Sequence, residues 1–60
     1  MNDVLSPPGL AEQIAEVERE VRYREVYYEH RVATQKMSQR MADQKIATMR
    51  AVLETLRGLR

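Results

Sequence analysis

From Leu10 onward the apolar side chains recur in steps of four, three, four, seven and four: Leu10, Ile14, Val17, Val21, Tyr28 and Val32. On a 3.6-residue helix these positions share a stripe about 60° wide, the mark of an amphipathic helix with one buried face. A second stripe follows at Ala42, Ile46, Met49, Leu53 and Leu56, and Met41, Val52 and Leu59 widen it on one side. The pattern predicts two helices, over about 8–34 and 39–57.

The stretch between the stripes, "RVATQKMSQR", contains neither glycine nor proline. Suppose a single helix ran through it, roughly 75 Å long at 1.5 Å per residue. The heptad set by Leu10, Ile14, Val17 and Val21 would then pass through Arg24, Tyr28, Arg31, Gln35, Ser38, Ala42 and Lys45. A run of charged and polar residues at the seam abandons it. A turn fits better. Thr34-Gln35-Lys36 makes a short connection, and Ser38 caps the second helix. Folded there, Val21 lies near Met49, Val17 near Leu53, Ile14 near Leu56, and Tyr28 near Ala42 and Ile46. The acidic Glu12 and Glu16 then come beside Arg57 and Arg60. The expected fold is an all-α antiparallel two-helix hairpin that dimerises into a four-helix bundle. One long coiled-coil helix is the alternative.

The ends carry weaker signals. In Ser6-Pro7-Pro8-Gly9, Ser6 is the expected N-cap, with Leu5 and Leu10 as a hydrophobic staple across it. Residues 1–6 are expected to fray, leaving 7–60 as one domain. Gly58 suits a position just past the second helix, with Leu59 packing back on Leu53. Glu18–Arg22 and Glu20–Arg24 have the i,i+4 spacing of surface ion pairs.

A second face on the first helix has no use inside a plain hairpin. Tyr23, Val26, Tyr27, His30 and Ala33 lie roughly opposite the main stripe. Tyrosine joins an apolar body to a polar tip, which suits an interface that is dry inside and wet at its rim. These five residues are the expected partner or dimer interface, with a homodimer first and a foreign protein partner second. The intramolecular core is expected from Leu10, Ile14, Val17, Val21, Tyr28, Val32, Ala42, Ile46, Met49, Leu53 and Leu56. Met41 and Met49 read as fillers of that core.

Composition narrows the chemistry. A chain of 60 residues hides only about 60% of its unfolded surface. The absence of cysteine removes disulfides as a remedy, so association is the remaining route to added stability. Lysine and arginine exceed aspartate and glutamate by one, so no bulk pull toward nucleic acid or a membrane surface is implied. Arg31, Lys36, Arg40 and Lys45 gather near the turn as weak candidates for nucleic-acid contact, but their neighbours are mixed in sign. Nucleic acid is therefore the runner-up partner and not the expected one. The lone His30 lacks companions for a metal site, so no metal and no cofactor are expected. At an interface it would make association respond to pH. No phosphate-cradling glycine loop and no serine with a positioned base is present, so the expectation is a non-enzyme without a small-molecule substrate. No stretch has the composition of a secretory leader or a membrane span, which makes a cytoplasmic protein the expectation.

The run from Leu10 to Leu56, most specifically "KMSQRMADQKIATMRAVLETL", resembles short uncharacterised proteins common in proteobacterial genomes, often among phage or prophage genes. Their pattern reads L-A-x-x-I-x-x-V-x-R-E, then a tyrosine-containing stretch, then V-A-x-G-R-M-T-Q-x-x-A-D-x-x-I-A-x-M-x-A-V-L-x-T-L. The resemblance implies a helical hairpin and a mobile-element setting, and brings no chemistry. This chain departs from the pattern in two places. Glu29 and Arg31 stand in the stretch where proline and tryptophan follow the tyrosine, and Gln35 stands where glycine precedes the Arg-Met pair. Losing that glycine makes a left-handed turn more costly.

Overall fold

The structure, a computed structural model, describes residues 6–60. It is an antiparallel hairpin of two α-helices, α1 (Leu10–Ala33) and α2 (Gln39–Arg57). Each of the eleven expected core residues is buried or half-buried, with Ile14, Val21, Ala42 and Leu53 the most enclosed. The sheet-like body of the hairpin is only 12 Å deep, about one helix.

The turn forms where the apolar pattern fails. Thr34 ends α1, Gln35 N–H donates to Val32 O at 3.0 Å, and Lys36 N–H donates to Arg31 O at 2.8 Å. Those two bonds are the paired closures of a Schellman end, which places the residue after the cap in the left-handed region. That residue is Gln35, at φ 62°. The backbone adopts the glycine-favouring conformation although the side chain is glutamine. Three residues later Ser38 is extended, and its Oγ accepts from Met41 N–H at 3.1 Å to start α2.

At three places the structure corrects the sequence reading. Helix α1 starts at Leu10, capped by Gly9 and not by Ser6. Ser6 and Pro7 each precede a proline, which disfavours helical geometry at both. Gly9 has no side chain to cap with, so the bond runs the other way: Glu12 Oε1 accepts from Gly9 N–H at 2.7 Å. Gln13 Nε2 adds a donation to Pro8 O at 3.0 Å. The staple through Leu5 falls outside the described residues.

The far end of α2 also differs. Gly58 is right-handed, at φ −68° and ψ −14°, and donates to Glu54 O at 3.0 Å. The chain therefore continues the helical sense instead of reversing, and Leu59 is left 69% exposed instead of packing on Leu53. Met41, expected as a core filler, is 45% exposed because it lies on the flank of α2 and away from the seam.

The third correction concerns charge. Glu12 is committed to Gly9, and Glu16 pairs with Arg19 on its own helix. Arg57 instead reaches Glu18 at 2.9 Å and Glu54 at 2.9 Å. A second cross-helix pair joins Arg50 to Glu25. The reason is angular: Glu18 borders the seam, while Glu12 and Glu16 project from the side opposite it. Glu18 is thereby drawn away from Arg22, whereas the expected Glu20–Arg24 pair forms at 2.7 Å. Glu20's hydrogen bond is the main cause holding the Arg24 guanidinium above its usual pKa.

Candidate functional site

The face of α1 opposite the seam is uncovered along its C-terminal half. Tyr23, Val26, Tyr27, His30 and Ala33 are all exposed, with Tyr23 at 60%, Val26 at 68% and Tyr27 at 42%. Five of the residues there, Arg19, Tyr23, Val26, Tyr27 and His30, line one shallow concavity, and Arg22 closes its edge. Because α2 occupies the other side of α1, nothing else in the described residues shields this patch.

Its side chains are ordered among themselves. The Tyr23 and Tyr27 rings stack with centroids 5.8 Å apart and planes 9° from parallel. The Arg31 guanidinium lies 5.6 Å from the centre of the Tyr27 ring, and its Nη2 donates to Lys36 O at 3.3 Å. Tyr23, Tyr27 and Arg31 are spaced four apart, so they form one ladder along the helix that ties the aromatic face to the turn. Side chains already held in place lose less freedom when a partner docks. Arg19 and Arg22 were not among the five residues expected for this face. The signal was present, since Arg19 sits one turn before Tyr23 on the same stripe.

The basic residues near the turn do not converge. Arg31 is half-buried and engaged with Tyr27 and the turn, while Lys36, Arg40 and Lys45 are exposed. Arg40 and Lys45 lie five residues apart on α2 and so project to different sides. No single basic surface results.

A second concavity opens on one flank near the turn. Tyr28, Val32, Ala42 and Ile46 form its floor, and Glu25, Glu29, Asp43 and Arg50 stand around it. Its floor is the exposed edge of the hairpin's own core. Among the described residues no cluster of three or more metal-ligating side chains occurs, and no helix is long and apolar enough to cross a membrane.

Fold and surface together define a small α-helical hairpin with an unpartnered aromatic face. Compared with known protein families, curated proteins and solved structures, the chain finds no match.

Proposed function

We propose that the hairpin is a non-enzymatic protein–protein interaction module of the cytoplasm, acting by self-association through the Tyr23, Val26, Tyr27, His30 and Ala33 face and binding a partner protein once assembled. The observation that carries this is the exposure of a stacked, apolar-aromatic face on the side of α1 that the hairpin itself does not use. Contiguous apolar patches on small proteins mark contact sites. The small core favours association in general, since among the described residues only Ile14, Val21, Ala42 and Leu53 are buried. Two hairpins joined by this face make a four-helix assembly with both α1 helices at its centre. The resemblance to phage-associated hairpin proteins supports a mobile-element setting.

Sedimentation across a range of concentrations tests the reading. The wild-type protein should show a mass that rises to at least a dimer, and Tyr27→Glu should shift the curve toward monomer with unchanged helical circular dichroism. A wild-type chain that stays monomeric at every concentration would overturn it.

A further inference from the structure

The exposed stripe on α1 is longer than its aromatic part. Counting back from His30 in alternating steps of four and three reaches Val26, Tyr23, Arg19, Glu16 and Glu12. That is the 3.5-residue repeat of a helix–helix seam, and all six side chains are exposed. The stripe is also graded in charge: carboxylates at its start, arginine and tyrosine in the middle, and an apolar residue and an imidazole at its end.

The grading decides which occupant fits. A second α1 laid parallel and in register would set Glu12 on Glu12, Glu16 on Glu16 and Arg19 on Arg19, and like charges facing each other across a seam oppose pairing. Laid antiparallel about an axis beside Tyr23, the same stripe complements itself. Tyr23 meets Tyr23, Arg19 lies over Val26 with its apolar stem, and Glu16 meets His30. Arg19 engages Glu16 through Oε1 in the single chain, which leaves Oε2 for a second donor.

We propose that two copies of this chain pair through antiparallel α1 helices, with Glu16 of each copy accepting a hydrogen bond from His30 of the other. This rests on the self-association reading above and adds the partner, the orientation and the specificity-determining pair. The acidic half of the stripe, whose bonds stay within α1 and its cap and do not reach α2, becomes the matching half for the aromatic end of the second copy.

Two measurements test the pairing. In the first, Glu16→Lys and His30→Glu are each sedimented alone and then mixed. His30→Glu should weaken self-association about tenfold or more by facing Glu16 with a like charge, and Glu16→Lys by removing the acceptor, while the mixture forms a mixed dimer that holds one pair of opposite charge and one unaltered Glu16–His30 pair. In the second, single cysteines are placed in this otherwise cysteine-free chain. Two Glu16 positions in an antiparallel pair lie fourteen residues apart along the axis, about 21 Å, too far for a disulfide. Glu16→Cys alone should therefore not cross-link, whereas its mixture with His30→Cys should. Wild-type dimers accompanied by ready Glu16→Cys self-cross-linking, or by no mixed dimer, would overturn the antiparallel arrangement and leave self-association standing. A wild-type chain that is monomeric throughout would remove both. Helical circular dichroism of each variant separates lost pairing from lost folding.

Discussion

Arg57 crosses the hairpin to Glu18 at 2.9 Å, and seven residues nearer the turn Arg50 makes the same crossing to Glu25, itself seven residues beyond Glu18. The two bridges are one heptad apart on both helices, so they record a single antiparallel register. Hydrogen bonding to Glu18 first, and to Glu54 second, raises the Arg57 pKa above its usual value. A raised arginine contributes stabilisation at every pH below the ordinary arginine range and loses it only as pH climbs beyond, so neutral solutions see the guanidinium fully charged. Its sensitivity is to salt. Glu18→Gln should lower stability in dilute buffer, and that difference from wild type should shrink near ~1 M salt, where the Debye length falls to about 3 Å. Urea titrations at two ionic strengths measure it.

Gln35 holds a left-handed backbone that its side chain disfavours. Glycine there should stabilise the hairpin by about 1 kcal/mol, the strain removed less the added freedom of the unfolded chain. Valine at the same position should destabilise it, because β-branching makes positive φ costlier still. Chemical denaturation of the two variants gives opposite shifts in midpoint if the turn is as described.

Gly58 behaves in the reverse way. Its backbone is right-handed, and a methyl group there would meet Glu54 O and Thr55 O at 3.5 Å, ordinary contact. Gly58→Ala should therefore raise stability by about 0.4–1 kcal/mol through the unfolded chain. A loss would show that α2 ends in a left-handed turn in solution.

Leu53 and Val26 separate the seam from the outer face. Leu53→Ala removes one of the most enclosed side chains and should cost about 2–5 kcal/mol, enough to unfold much of so small a protein. Val26→Ala, at 68% exposure, should leave the isolated hairpin within about 0.5 kcal/mol of wild type. Thermal melts at low concentration compare the two directly.

The helices and their reversal were legible because apolar spacing is a property of the chain alone. A stripe that lapses for a heptad and then resumes needs a turn, and Ser38 names where the second helix begins. What escaped was set by geometry beyond the pattern. Ser6 looked like a cap until two successive prolines denied it helical neighbours, which passed the role to Glu12 acting backward on Gly9. Gly58 looked like a helix stop because glycine so often serves as one, yet residue type permits a left-handed turn without requiring it. Arg57 found Glu18 instead of Glu12 because ion pairing follows angular position around a helix more closely than distance from its end. The aromatic face was readable as a stripe. Its ordering into a Tyr23–Tyr27–Arg31 ladder, and the arginines beside it, needed coordinates.

A layer 12 Å deep has two surfaces and almost no inside. Every stretch of backbone lies within a helix's width of water, so only side chains pointing straight into the seam, such as Ile14 and Leu53, are enclosed. For such a molecule, a second hairpin set edge to edge against α1 is what gives that helix a neighbour on both sides.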